Sequence, residues 1–460
     1  MKRIFYNFHI IAITLISFTA CDFFDVDEVT NPNAADASVI ESNATVPQLQ
    51  ALVAGLESRG RLYVATTSRS FGSFGRETLS YRDSDPRFTT DWLGRAGEPN
   101  AAFFAVANTY DGPYQAIKQG NVLMESASNT TAITAQELAG IEGFAKTMQA
   151  YQYLVPLLAQ NSNGIRIDVS DPLNPGPFLQ FSDALQAVRN LLDEAASDLN
   201  SAGSGFVFSL TSGFEGFDTP AGILQVNRAI AARAAVYAQD WNGVLTALSG
   251  SFFDIDGDMD IGPAHTYENA DGTTPNPFNP FFFPLDQFST QIEVVHPGVL
   301  EDMEADDQRG EKFFARSAAN FVNNQALIEY VATHQDGRWS TNTDNVPFIR
   351  NEELVLLYAE ANAQLNNTTE AVAGINMVRS NAGLDPYGGA TDTSSLIDQI
   401  LFERRYSLWF EPLPHRWVDL RRYDRLDELE EDFIADNENF FVQLARPQGE
   451  INWDELAGSN

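Results

Sequence analysis

The sequence predicts a mainly α protein, an α–α superhelix of tetratricopeptide-like helix pairs with irregular, loop-rich insertions. Three observations predict it. Apolar residues recur at alternating intervals of three and four in several separate segments, which lays them along one helix face. The segments come in pairs, although a strict period of about 34 residues is absent, so the repeats are degenerate. Between them lie stretches of Gly, Pro, Asn, Asp and Phe without sustained helical period. Their aromatic density supplies burial and argues against disorder.

The N-terminus reads as a lipoprotein signal. Lys2 and Arg3 form a basic start, Phe8 to Ala20 is mostly apolar, and small Thr19 and Ala20 precede Cys21. Residues 1–20 are then a signal peptide and Cys21 an acylated N-terminus, whose acyl chains anchor the protein to a membrane without a spanning helix. An ordinary signal peptide beside an incidental cysteine is the alternative. The apolar run is short for a membrane span. With Cys 1 in the composition, an internal disulfide and a cysteine metal cluster are both excluded. Residues 21–45 open with Asp22-Phe23-Phe24-Asp25-Val26-Asp27-Glu28 and form an acidic, polar tether.

Residues 46–249 form the first helical region. Leu49, Leu52, Leu56 and Tyr63 mark one helix, and Tyr114, Ile117, Asn121 and Met124 a second that Pro113 can start in its first turn. Leu138, Ile141, Phe144, Ala145 and Met148 share one stripe; Leu185, Val188, Leu192, Ala195 and Leu199 form the cleanest stripe of the chain. The Pro/Gly-rich link from Asp171 to Pro177 separates these two. An alanine-rich segment then runs from Gln225 through Tyr237 to Trp241. Residues 250–345 are an irregular insertion, and Phe71 to Asn100 is a second irregular stretch; both are expected at one end of the scaffold. In residues 346–460 a last pair follows, with Leu354, Leu357, Tyr358, Ala361 and Leu365, then Ala371, Ile375 and Val378, capped by Gly383.

The densest chemistry lies at the C-terminal end. Glu403 to Arg425 carries Arg404, Arg405, Arg416, Arg421, Arg422 and Arg425 among Leu408, Trp409, Phe410, Trp417 and Leu420. Such apolar neighbours want burial, so the arginines must lie near dry surface, where a guanidinium needs a carboxylate. Glu403, Glu411 and Asp419 are the nearest supply, and an interlocked ion-pair and stacking lattice is expected. The order Glu403-Arg404-Arg405, Glu411, Arg416-Trp417, Asp419-Leu420-Arg421-Arg422 resembles the C-terminal signature of the SusD/RagB nutrient-binding outer-membrane lipoproteins. Pro412-Leu413-Pro414-His415 stands where that family has a glycine-rich linker. Tyr114-Gln115-Ala116-Ile117, Val226-Asn227-Arg228, Tyr358-Ala359-Glu360-Ala361 and Ala382-Gly383-Leu384 also resemble it in order, so the likeness covers nearly the whole chain. The resemblance implies a SusD-like fold, a glycan or oligosaccharide site in the loops, a SusC-like TonB-dependent transporter as partner, and export of the lipidated protein to the cell surface.

Lys+Arg 28 against Asp+Glu 63 gives a net charge of −35, which repels nucleic acid and anionic membrane surfaces. No catalytic motif is present: Gly72-Ser73-Phe74-Gly75 lacks the spacing of a nucleophile elbow, and His265, His296, His334 and His415 are scattered. So many acids make some close pair inevitable, which leaves a surface glycoside hydrolase as one alternative and a ligand-free envelope scaffold as another. Asp254, Asp256, Asp258 and Asp260 alternate in a run suited to structural calcium, the single cofactor the sequence suggests; a solvated acidic turn is the other reading. For a sugar, flat aromatic faces with hydroxyl-binding neighbours are needed. Tyr81, Trp92, Tyr267 and Trp339 in the irregular segments, with Arg82, Asp83, Asn323 and Asn324, are the candidates; loop core is the alternative for each aromatic.

Overall fold

The structure, a computed structural model, describes residues 43–82, 85, 87–94, 101, 104–171, 173–267, 278–287, 289, 291–317, 333–413, 415–432 and 439–457. The signal, Cys21, nearly all of the tether, Asp83, Asn323 and Asn324 lie outside the described residues.

Helix α1 (Val46–Gly60) ends at Arg61, and α2 (Tyr63–Phe74) begins two residues later. Tyr63 therefore opens a second helix instead of closing the first, and the stretch read as irregular from Phe71 starts inside that helix. Strand β1 (Thr78–Arg82) and the short α3 (Arg87–Thr90) follow. Helix α4 (Phe104–Ser128) contains Pro113 in its interior and does not start there. The proline removes one backbone hydrogen bond. Burial of Tyr110, Ala116, Ile117, Leu123 and Ala127 along the same helix offsets that loss.

Helix α5 (Ala135–Gln160) starts at a reciprocal cap: Glu137 Oε2 accepts from Thr134 N at 2.7 Å, and Glu137 N donates to Thr134 Oγ1 at 3.3 Å. After the hairpin β2 (Ile165–Arg166) and β3 (Phe178–Leu179) comes α6 (Phe181–Ser201), whose buried face is the predicted Leu185, Val188, Leu192, Ala195 and Leu199 stripe. Then follow α7 (Pro220–Tyr237), α8 (Trp241–Ser249), β4 (Ala264–His265), β5 (Gln291–Val295), α9 (Pro297–Glu301), β6 (Phe313–Ala315), β7 (His334–Asp336) and β8 (Val346–Pro347). The chain closes with α10 (Asn351–Gln364), α11 (Thr368–Asn381), α12 (Thr393–Ser407), α13 (Arg416–Arg422) and α14 (Gln448–Ala457). Gly383 adopts φ +74 just past α11, the left-handed conformation that terminates a helix at little cost.

The helices stack in succession: α1 on α4, α4 on α5, α5 on α6, α6 on α7, α7 on α8, α8 on α10, and α10 on both α11 and α12. Asn121 meets Gln149 while Tyr114 meets Tyr153, so α4 and α5 run antiparallel. The architecture is the mainly α, tetratricopeptide-like stack expected. The two irregular stretches are joined by a four-stranded antiparallel sheet, in the order β1-β5-β7-β6. Tyr81 pairs with Ile292 across β1 and β5, so a strand from one stretch is zipped to strands from the other.

The C-terminal arginines are dry and paired. Arg404, 2% exposed, donates to Glu360 Oε2 at 2.7 Å and to both oxygens of Asp419 at 3.0 Å. Arg422 reaches the same two acids, Glu360 at 2.8 Å and Asp419 at 2.7 Å, and Tyr423 Oη donates to Glu360 at 2.6 Å. Burial alone would raise the Glu360 carboxyl, but Arg422 and Arg404 overcome it and hold it near about 2. Glu403 accepts from Arg379 at 2.7 Å and forms an ion pair with Arg309 at 2.7 Å, Arg405 from its side reaches Asp302 at 2.6 Å and Glu430 at 2.8 Å, and Arg416 shares Glu430 at 3.3 Å. Trp417 donates its indole N–H to Phe441 O at 2.6 Å and packs edge-on against Phe71 and Phe74. Arg421 is the exception: among the described residues it finds the carbonyls of Leu158 and Val442 and the Trp417 ring instead of a carboxylate. Burial pulls its guanidinium down to about 10.

A second buried polar cluster lies beneath β4. His265 Nε2 is 3.1 Å from Tyr63 Oη, whose hydroxyl also bonds that of Tyr151. Burial, and then the Arg61 charge, push His265 down to about 3. Its folded pKa lies below the ordinary value, so the unfolded chain binds the proton first. Stability from this group is full above about pH 6.5 and falls away toward about pH 3.

Two predictions follow from these clusters. Arg404→Ala is expected to cost about 3–5 kcal/mol in urea unfolding, because it strands buried acids. Arg425→Ala, whose partners Asp398 and Glu428 are exposed, is expected to cost less than about 1 kcal/mol; equal losses would contradict the dry lattice. Separately, the drop in unfolding free energy from pH 7 to pH 4.5 is expected to be smaller in His265→Gln than in the parent, and an unchanged drop would remove His265 as its source.

Candidate functional site

Strand β7 ends at Asp336, and this one carboxylate orients Arg338 and Trp339, two and three residues further on. Asp336 Oδ1 accepts from Arg338 N at 3.1 Å and Nε at 2.9 Å; Oδ2 accepts from Arg338 Nη2 at 2.7 Å and from Trp339 Nε1 at 2.9 Å. Arg338 also donates to the carbonyls of Trp409 at 3.0 Å and Phe410 at 3.1 Å, which ties the strand end to the C-terminal block. The Trp339 ring stacks on Phe281, with centroids 5.8 Å apart and planes at 22°, and Phe281 packs on Phe410. The indole is therefore held at both its ring and its N–H, yet stays half-buried.

Trp339 borders a cleft of about 360 Å³. Its opposite wall is the start of α10. There Arg350 donates to Glu411 Oε1 at 2.9 Å and Ser407 O at 2.6 Å, pairs with Glu352, and lies 3.4 Å from Asp260. Glu352 would be raised by burial, but Arg350 and then Lys312 hold it near about 2. Lys312 closes the floor, donating to Tyr406 O at 2.7 Å and Ser407 O at 2.6 Å; burial pulls its ammonium down to about 8. Asp260 and Asn345 stand exposed at the rim. A half-buried indole flanked by an amide, carboxylates and guanidinium groups offers an apolar face and hydroxyl-binding partners together.

The other sequence candidates fall elsewhere. Trp92 is 1% exposed, wedged between Phe74 and Phe88, and Tyr267 is 3% exposed beneath the Arg61 guanidinium; rings so covered have no face to give a ligand. Arg82 is buried against Phe88 and pairs with Glu293, while Tyr81 lies half-buried on the sheet. Among the described residues the cleft thus gathers Trp339 with Asp260 and Glu411. Lys312, Arg338, Asn345 and Arg350 complete it without having been singled out from sequence.

The acidic run from Asp254 to Asp260 does not converge. Asp254 Oδ1 accepts from Asp256 N at 3.1 Å and Asp258 Oδ1 from Asp260 N at 2.9 Å, so these carboxylates cap turns. Among the described residues no group of three or more His, Cys, Asp and Glu side chains could hold a metal ion. Nor is any helix there long and apolar enough to cross a membrane.

Stacked antiparallel helices that carry a loop-built aromatic cleft define a rigid helical-repeat protein. Residues 302–452 match the model of the SusD family. The fold is similar to that of a SusD-like carbohydrate binding protein from Bacteroides vulgatus, at 14% identity and TM-score 0.65, over 89% of this chain and 97% of that one. A SusD-like protein from Bacteroides fragilis is similar at 14% identity and TM-score 0.65, over 91% of this chain and 96% of its own. A surface glycan-binding protein A from Bacteroides uniformis is similar at 13% identity and TM-score 0.64, over 89% and 98%. No curated protein matches the chain in sequence.

Proposed function

We propose that this chain binds a glycan or oligosaccharide in the Trp339 cleft and delivers it to a SusC-like TonB-dependent transporter, as a lipoprotein held at the outer-membrane surface through acylated Cys21. The observation that carries the binding step is the doubly fixed indole of Trp339, stacked on Phe281 and hydrogen-bonded to Asp336, beside the exposed Asp260 and Asn345. An immobilised ring loses little entropy when a sugar stacks on it, and a rigid helical stack keeps the rim groups in place. The SusD-family match over residues 302–452 and the names of the similar structures, a carbohydrate binding protein and a glycan-binding protein, support the choice of glycan. The action proposed is capture, not catalysis: holding ligand at the mouth of a transporter raises its local concentration without new chemistry.

Binding is expected to fall about tenfold or more in Trp339→Ala, about 1.4 kcal/mol or more, on a glycan array confirmed by calorimetry. Retained affinity would move the site elsewhere, and turnover of any glycan in the same panel would favour a hydrolase. For the anchor, metabolic labelling with a clickable palmitate analogue is expected to mark the full-length protein, and Cys21→Ser to abolish the label and release the protein from the membrane fraction. A labelled Cys21→Ser protein would refute acylation at that position.

A further inference from the structure

A second, larger cleft lies away from Trp339, where three separate parts of the chain converge. Its floor is the α4 pair Tyr110 and Tyr114, whose rings stack with centroids 4.3 Å apart and planes at 23°. One wall is the segment after β2. Its backbone is fixed from below by Tyr114 Oη donating to Arg166 O at 2.5 Å and Tyr153 Oη to Ile167 O at 2.7 Å. The other wall is α14, which presents Trp453, 37% exposed. Arg166 bolts that helix on, donating to Glu450 Oε2 at 2.7 Å and pairing with Asp454, while its guanidinium rests 4.4 Å over Phe178. The cleft is open to solvent and measures about 480 Å³, inside the range of about 300–1,000 Å³ found for small-ligand sites.

From this construction we infer that the Tyr114–Trp453 cleft is a second binding site, for a neutral saccharide. The charges at the cleft decide the ligand class. Asp111 and Lys118 at the rim offset one another, and Arg166 is already offset by Glu450 and Asp454. An anionic ligand would meet those acids and a chain of net charge −35; a cationic one would meet Lys118 at the rim. A purely apolar ligand would desolvate the Asp111 and Lys118 charges at the rim and offer them nothing in return. A pyranose chain satisfies both demands, with C–H faces for Trp453 and hydroxyls for the rim. Gly449 lines the same cleft, and a Cβ there would meet nothing within 4 Å, so a side chain can start there without a clash.

The ligand class rests on the reading of the chain as a glycan binder; the location does not. The test is calorimetry of the full mature chain against maltohexaose, cellohexaose, xylohexaose and laminarihexaose, with trigalacturonate as the charged control. For at least one neutral sugar, two sites are expected. Gly449→Phe should abolish one of them and Trp453→Ala weaken that one about tenfold, with thermal midpoints unchanged, while Trp339→Ala removes the other. A single site lost in Trp339→Ala and untouched by Gly449→Phe would overturn the inference and leave the proposed function standing. A single site with the opposite sensitivity would support the inference and overturn the Trp339 assignment. Trigalacturonate binding that Gly449→Phe abolishes would overturn the neutral class, and no binding of any neutral sugar would overturn both readings.

Discussion

The constraint on which the rest of the structure depends is that a buried guanidinium must be answered. Arg404, Arg422, Arg309, Arg379 and Arg350 all lie in dry surroundings, and each takes at least one carboxylate from a different part of the chain. Glu360 comes from α10, Glu304 from the irregular insertion, Glu403 from α12, and Glu411 from the stretch before α13. The need to satisfy these charges forces the last helices and the loops into one arrangement. A pair of this kind adds little net stability over an apolar substitute, since desolvation cancels much of the attraction. Its effect is on which arrangement forms, because any other register leaves a charge buried alone.

The cleft at Trp339 is a by-product of that arrangement. Arg338 is held between Asp336 on the sheet and the carbonyls of Trp409 and Phe410 in the C-terminal block. Arg350 is held between Glu411 and Ser407 from the same block. The ends of the sheet and of α10 are thus tied to one short stretch of chain, and the gap between them is the cleft. The arginines that build the wall are largely spent on protein partners, which leaves Asp260, Asn345 and the indole as the groups turned toward solvent.

How much of this was legible follows from the range of the interactions. Helix faces are local, and the α6 stripe from Leu185 to Leu199 could be read directly because its period is written in consecutive residues. The break at Arg61–Leu62 was missed because Tyr63 sits in phase with Leu49 and Leu56 on either reading. Pro113 misled because its local preference for a first turn is overruled by burial along α4. The strands of the four-stranded sheet run only from three to five residues, too few for an alternation to register, and β1 pairs with β5 across more than two hundred positions. Trp339 could be proposed because an aromatic in a polar loop is visible in the sequence. Lys312 carried no signal at all, since its partners are the backbone carbonyls of Tyr406 and Ser407. Trp92 and Tyr267 looked equivalent to Trp339 until packing distinguished them, for burial depends on neighbours such as Phe74, Phe88 and Arg61 that lie in other segments.

The same logic explains why so acidic a chain can hold an ordered arginine-rich core. Among the described residues, the arginines that pair at depth draw on buried acids: Asp307, Asp336, Glu352, Glu353, Glu360, Glu403, Asp419 and Asp432. The acids left over stand mostly at the surface, where water screens their repulsion. Positive charge is therefore committed to the interior and negative charge dominates outside. A ligand approaching either cleft meets aromatic surface within an acidic field, which disfavours polyanions at long range and leaves neutral polyols to be selected by contact.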